Sequence, residues 1–311
     1  MKLVVTICTR ERAEPLGRCL AALAADPQPA GMELAVVVVE NEAAPRLGPM
    51  LAGIARSAPF ALHHVHEPRL GIPMARNRAV EAALGLDPDW IGFIDDDEEV
   101  LPGWLAAMAQ AAHSLGADVI VGEVVPRIEG PRPAWMGRAR PRRQKTGEQQ
   151  MSAATNNTLA RARLFRSDGL GLRFDERFRF SGGEDVALFG EATRQGARIV
   201  WTADAPVEER WPPVRLTPGW HLRRVFSTQL VTERIVRARD GRRAWLASGP
   251  RNAVETLRGL GMLAVALLSW PVARRFAARS AFKGAKKLAA AAAWAAVPWK
   301  IERNPYSQVD R

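Results

Sequence analysis

The sequence predicts an α/β protein, a Rossmann-like sheet flanked by helices, followed by a basic amphipathic helical tail. Three observations carry that reading. Residues 34–39 are a continuous apolar run rich in valine, Leu34-Ala35-Val36-Val37-Val38-Val39, the composition of a parallel strand buried on both faces. Short apolar runs alternate with helix-period segments from residue 2 to residue 123, the pattern of a doubly wound sheet. The runs end in polar residues, Thr9, Glu40 and Asp95-Asp96-Asp97, at the strand ends where such sheets bind ligands.

The elements follow in order. Residues 2–9 read as a strand ending in Thr9-Arg10-Glu11-Arg12. A helix over 14–26 carries Leu16, Leu20 and Leu23 on one face and stops at Asp26-Pro27. The valine strand ends in Glu40-Asn41-Glu42, and a helix near 46–57 leads to a strand at 61–66. Gly71-Ile72-Pro73 opens a helix to about residue 85. A strand at 90–94, a helix near 102–115 and a strand at 118–123 complete the alternation. Residues 126–150 hold Pro126, Pro131, Pro133 and Pro141 and six basic residues between Arg132 and Lys145. They read as a mobile loop beside the site, either a lid or a solvated insertion. Gly182-Gly183 then allows a tight turn into a helix whose first turn carries Glu184 and Asp185. The helix dipole favours ionised carboxylates there. A strand at 197–201 closes the domain.

Composition bounds the setting. Two cysteines, Cys8 and Cys19, exclude a disulfide scaffold, and the chain opens directly on a strand, so a cytoplasmic protein without a secretory leader is expected. The net charge of +11 is uneven: from Arg210 onward 20 basic residues face 5 acidic ones, against 24 and 28 before it. Such asymmetry suggests a catalytic or binding unit with a basic tail for an anionic surface. Within the tail, 259–273 and 288–299 are apolar, and Arg274, Arg275, Arg279, Lys283, Lys286 and Lys287 lie between them. Each run is shorter than the roughly 20 residues that span a bilayer. Helices lying on, or dipping into, an anionic leaflet are expected; packing on the domain or on a second subunit is the alternative.

The most informative stretch is Ile91-Gly92-Phe93-Ile94-Asp95-Asp96-Asp97-Glu98-Glu99. Five carboxylates crowded at a strand end are best tolerated with a hard divalent cation among them. The alternative is an acidic turn before the next helix.

In their order, Thr6-Ile7-Cys8-Thr9-Arg10-Glu11-Arg12, Glu40-Asn41-Glu42, Gly71-x-x-x-Ala75-Arg76-Asn77, Asp95-Asp96-Asp97, Thr155-Asn156-Asn157 and Gly183-Glu184-Asp185-x-x-Leu188-Phe189 resemble family 2 glycosyltransferases of the GT-A fold. Within them they look most like bacterial enzymes that build exopolysaccharide or lipid-linked glycans. The resemblance covers about residues 3–225, and 226–311 would be a membrane-associating helical region. It implies an inverting, metal-dependent transfer from a nucleoside-diphosphate sugar (UDP, dTDP or GDP) to a hydroxyl of a glycan or polyprenyl-linked acceptor, with Mn2+ or Mg2+, at the inner face of the membrane. Thr9 and Arg10 would line the nucleotide pocket. Glu40 stands where the family has an Asp that reads the pyrimidine. Arg76 would contact the nucleotide or its phosphates, Asp95 would lie near the ribose and donor sugar, and Asp97 would ligate the metal with Asp95 and Asp96 beside it. Asn156 would approach a sugar. Asp185 would be the general base, with Glu184 nearby, and His221, Glu208 or Glu209 would complete the metal shell. Arg223-Arg224 or the 132–143 arginines would help hold the diphosphate.

Three rivals stand against this. A non-catalytic GT-A-like scaffold is opposed by the intact carboxylate motifs. A nucleic-acid binder is opposed by a single Tyr and by basic residues interleaved with apolar helix. A nucleotidyltransferase is opposed by the lack of glycine in Thr9-Arg10-Glu11-Arg12.

Overall fold

The computed structural model describes residues 1–137, 144–179 and 181–299. Arg138, Arg140, Arg142 and Arg143 of the expected basic loop, and the end of the tail from residue 300, lie outside the described residues. In chain order the strands and helices are β1 Lys2–Thr9, α1 Ala13–Ala25, β2 Glu33–Glu40, α2 Gly48–Ala55, β3 Ala61–His66, α3 Ile72–Leu84, β4 Trp90–Asp95, β5 Glu98–Val100, α4 Trp104–Ser114, β6 Val119–Ile128, β7 Gln149–Gln150, β8 Thr158–Arg161, α5 Glu184–Arg194 and β9 Ile199–Trp211, then α6 Pro218–Ala247, α7 Gly249–Ser269 and α8 Arg274–Ala296.

Nine strands among the described residues form one mixed sheet in the order β3-β2-β1-β4-β8-β6-β9-β5, with β7 on β9. β3, β2, β1 and β4 run parallel, and β8 pairs antiparallel with both β4 and β6. The run at 34–39 behaves as its composition requires. Leu34, Val36 and Val38 join Leu3, Val5 and Ile7 in one core layer with Leu16, Leu20 and Leu23 of α1. Ala35, Val37 and Val39 join Val4 in the opposite layer with Ala75 and Ala79 of α3 and Leu188 and Phe189 of α5. Period-two alternation thus supplies both layers from one strand. Each fully buried aliphatic side chain contributes about 1.5–3 kcal/mol.

Two stretches differ from the sequence-based expectation. The acidic run does not simply turn into a helix, because Glu98–Val100 pairs antiparallel with β9 and sets Glu98 opposite Glu209 and Glu99 opposite Glu208. The last strand, expected at 197–201, continues to Trp211. The 126–150 segment is partly regular, since β6 reaches Ile128, a 3-10 turn covers Ala134–Met136, and β7 pairs with β9.

Gly122 is a point of close approach. A Cβ there would collide with the Asn157 side chain and lie 2.6 Å from the Ala205 carbonyl oxygen. Asn157, fully buried, accepts from Trp104 Nε1 at 2.8 Å and donates to the carbonyls of Glu123 and Ala205. Gly122→Ala is therefore expected to lower stability by about 1–3 kcal/mol through overpacking. Urea denaturation checks it; a variant within 0.3 kcal/mol of wild type, roughly the scatter of independent sites, would mean this neighbourhood yields freely.

The chain divides into two compact units. The first comprises 1–127, 144–179 and 184–210; the second takes in 128–137, 181–183 and 211–299 of the described residues. Both cysteines lie in the first unit, Cys8 on β1 and Cys19 on α1, and both are free. In the second unit α6 starts at Pro218, capped by Thr217, whose Oγ1 accepts from Trp220 N at 3.3 Å, and it kinks at Gly241 (φ 85°). α7 and α8 cross closely where Gly259 meets Gly284: a Cβ on Gly284 would sit 2.7 Å from the Gly259 carbonyl oxygen. Lys287 pairs with Glu255 across the same contact. Trp245 stacks on Trp294 with ring centroids 5.1 Å apart, beside Leu230, Ala293 and Ala296. No helix among the described residues is long and apolar enough to cross a membrane.

Candidate active site

The carboxyl ends of β1, β2 and β4, with the start of α5, gather most of the expected site residues in the first unit. β4 delivers Asp95, and Asp96-Asp97 turn the chain into β5. Asp96 is buried and held twice: Thr9 Oγ1 donates to it at 2.6 Å and Arg12 Nη1 at 3.0 Å. The same Arg12 nitrogen lies 3.3 Å from Asp97. Arg12 has a place in the motif but no role that spacing could reveal; only the fold brings it to these carboxylates.

Arg76, expected at the nucleotide or its phosphates, bridges two carboxylates of the site. Its side chain is only 11% exposed. Nη1 is hydrogen-bonded to Glu184 and Nη2 lies 3.7 Å from Asp95. One guanidinium therefore ties the end of β4 to the first turn of α5. Glu184 is correspondingly buried, and burial pushes its carboxyl above the ordinary range against the opposing pull of Arg76. Burial thus works against the ionising influence of the helix dipole at Glu184, and Arg76 supplies the compensating positive charge. Glu184 Oε2 is buried without a hydrogen-bond partner. Asp185, one residue on, is half-buried, and its Oδ1 accepts from Val186 N at 2.7 Å.

The acid concentration is electrostatically costly. Asp95 is pushed up to about 7, first by desolvation, with Arg76 opposing and Asp97, Asp96 and Glu209 adding to it. Desolvation likewise raises Asp96 to about 6 against the pull of Arg12 and Thr9. Glu98 is almost wholly buried, its Oε2 accepting from Asp95 N at 3.0 Å; burial and Asp95 raise it well above its ordinary value. Like charges opposite each other on β5 and β9 are destabilising. Arg210 and Arg18 lie 3.0 and 3.3 Å from Glu99, and Arg127 lies 3.4 Å from Glu208, which offsets part of this cost.

Glu40 is fully buried rather than presented to a ligand. Burial works to raise its pKa, but the amides of Arg46 and Leu47 and the His64 ring, at 2.8 Å, outweigh it and hold it low. Asn41 donates to the carbonyls of Glu67 and Arg69 and accepts from Gly71 N. Glu42 accepts from Glu11 N at 2.8 Å and binds Arg46. Glu40-Asn41-Glu42 thus braces the loops around a cleft of about 250 Å³, lined by Arg10, Glu11, Glu42, Ala43, Ala44, Arg46 and Leu70. Of the expected nucleotide residues, Arg10 faces this cleft; Glu42 does so as well, and only its three-dimensional position reveals it.

Asn156 is half-buried beside the buried Asn157. Glu208 and Glu209 lie on β9 opposite β5. His221, on α6, belongs to the second unit. Its ring packs among Trp135, Trp211, Trp220 and Phe282, its Nε2 has no hydrogen-bond partner, and burial lowers its pKa, keeping it neutral. Arg223 and Arg224 follow on the same helix. Among the described residues no three His, Cys, Asp or Glu side chains converge in a ready-made metal cage.

Comparison with known proteins places this architecture. Residues 4–174 match the model of glycosyl transferase family 2. The chain is 31% identical over 254 residues to the succinoglycan biosynthesis protein ExoM of Rhizobium meliloti (strain 1021), covering 78% of each. Crystal structures of S. aureus TarS 1-349 share the fold. One matches with a TM-score of 0.54 at 17% identity over 76% of this chain and 66% of that one. The complex with UDP gives 0.54 at 16% over 91% and 90%, and that with UDP-GlcNAc gives 0.53 at 15% over 92% and 90%. The strand-end carboxylates, the family match and the shared GT-A fold together establish that this chain belongs to glycosyl transferase family 2 and is a glycosyltransferase.

Proposed function

We propose that the protein is an inverting glycosyltransferase that uses a nucleoside-diphosphate sugar and a divalent cation. It glycosylates a hydroxyl of a lipid-carried glycan at the cytoplasmic face of a membrane, within bacterial polysaccharide assembly. The observation that carries this reading is the Arg76 bridge, which couples the donor-side carboxylate Asp95 to the helix turn bearing Asp185. The TarS complexes with UDP and UDP-GlcNAc support a uridine-type donor, and the cleft beside Arg10 and Glu42 is the place for its base. Glu40 acts behind the cleft, holding the 46–47 amides, so base preference falls to the groups that face it.

Asp185 accepts the proton of the acceptor hydroxyl as that oxygen bonds to the sugar C1. The bond from C1 to the diphosphate oxygen breaks, and its electron pair leaves with the nucleoside diphosphate. Thr9 and Arg12 orient Asp96 and Asp97. The donor set is all oxygen and carries more negative charge than Arg12 and Arg76 offset, which fits Mn2+ or Mg2+ held by Asp97 and Asp95. The bound cation supplies Lewis-acid stabilisation of the leaving diphosphate.

The test is thermal stability with UDP, dTDP, GDP and CDP, each with and without manganese. One nucleotide is expected to give a manganese-dependent shift that Asp97→Ala abolishes. A folded sample that responds to none of them would favour a scaffold that binds no donor. The shift also has a predicted pH course. Protonated Asp95 cannot ligate, and its proton persists up to about 7. Manganese must displace that proton, so the manganese-dependent shift should grow as pH rises through 7. A shift already complete at pH 5.5 would mean that Asp95 holds no proton above that pH in the free protein.

A further inference from the structure

We propose that the outward face of α7 and the turn into α8 form a docking surface for an anionic phospholipid bilayer. This inference rests on the reading that the enzyme works at a membrane, and it names the element and the lipid class. The two apolar runs of the tail have different fates. Residues of the second, Ala293, Ala296 and Val297, are buried against Leu230 and Trp245. The first faces outward: Leu267, Leu268 and Val272 are 77%, 79% and 88% exposed, with Leu260 and Trp270 also exposed, and Leu257 just before the run is exposed too. From Gly259 to Ala273 there is no charged side chain. Apolar surface of this kind marks an interaction site.

Charge identifies the occupant. The turn 271–276 and Arg279 line an open depression of about 750 Å³, in which Val272 and Phe276 lie beside three guanidinium-bearing residues, Arg274, Arg275 and Arg279. Arg274 and Arg275 occupy the first turn of α8, where the helix dipole disfavours cations. An anion against that turn removes the penalty, and a phosphate is well suited to a guanidinium and a helix N-terminus together. A second copy of the chain would bring the same cationic cluster onto itself across a two-fold contact. A phospholipid offers phosphate to the arginines and acyl chain to Val272, Leu268 and Phe276. Trp270 adds an interfacial aromatic. The outward stretch 259–270 is about 18 Å long at 1.5 Å per residue. It fits a helix lying in the headgroup–acyl boundary rather than crossing it.

The experiment is co-sedimentation of the full chain with extruded vesicles of phosphatidylcholine alone or with 30% phosphatidylglycerol, at about 0.1 M salt. Wild type is expected to bind the anionic vesicles at least tenfold more tightly than the neutral ones. Arg274→Gln/Arg275→Gln should lose about tenfold or more on anionic vesicles. Leu268→Gln/Val272→Gln, at exposed positions that leave the thermal midpoint unchanged, should lose at least as much on both. Nucleotide binding should be unaffected in every variant. Retained binding by both variants would overturn this surface while leaving the membrane reading intact; wild type that ignores all vesicles would remove both. A concentration-dependent dimer in light scattering, abolished by Leu268→Gln/Val272→Gln while vesicle binding persists, would assign the face to self-association instead.

Discussion

Asp185→Asn is expected to cut sugar transfer by about 10²–10⁴-fold, the contribution of a positioned general base, while leaving the nucleotide- and manganese-dependent thermal shift of the wild type intact. The physical ground is isosteric. Asp185 Oδ1 already accepts from Val186 N at 2.7 Å, and asparagine keeps that oxygen while removing the basicity of the other. Burial of Glu184 and its engagement by Arg76 leave Asp185 as the carboxylate of this turn able to take a proton from an acceptor. Single-turnover transfer to a defined acceptor, paired with the thermal shift, separates chemistry from binding. Near-normal transfer by Asp185→Asn would mean the base lies elsewhere.

Arg76→Leu should be the most destabilising single change in the site. It leaves Glu184 buried without its cation, and breaking such a pair costs about 3–5 kcal/mol. The penalty depends on pH in a defined direction. Without Arg76 the Glu184 pKa rises further above its unfolded value. The folded state then holds a proton that the unfolded state has released, so stability falls as pH rises from the ordinary carboxylate range through the raised value. Arg76→Leu is therefore expected to be close to wild type near pH 5 and weakest at pH 8. Glu184→Leu added to Arg76→Leu should recover much of the loss, because both polar partners then leave together. Urea unfolding at the two pH values decides it: equal losses at pH 5 and pH 8 would show that packing, rather than the uncompensated charge, sets the cost.

The parallel half of the fold was legible because its signal is local. Residues 34–39 need no partner to announce a strand buried on both faces, and Leu16, Leu20 and Leu23 mark the inner face of α1 by spacing alone. β5 was not legible, since Glu98-Glu99-Val100 becomes a strand only by pairing with Val207–Glu209, more than 100 residues away. The extension of β9 was hidden by Asp204, Pro206, Glu208 and Glu209. Pro206 is tolerated because its carbonyl, which it keeps, accepts from Leu101 N at 3.2 Å. In the site, chemistry-bearing residue types were readable from their motifs but their division of labour was not. Arg76 and Glu184 neutralise each other, and Glu40 turns inward to the 46–47 amides. These are outcomes of burial, which a one-dimensional pattern does not encode.

The two free cysteines, Cys19 buried and Cys8 half-buried, have a practical corollary. Burial pushes the Cys8 thiol up to about 12 and Cys19 well above its ordinary value. The thiolate, the form that alkylates, is therefore disfavoured at both positions near neutral pH. The native chain therefore serves as its own unreactive background. A cysteine introduced at an exposed position such as Val272 would carry a fluorophore or spin label as the dominant adduct, allowing distances and solvent polarity to be followed without first deleting either native thiol.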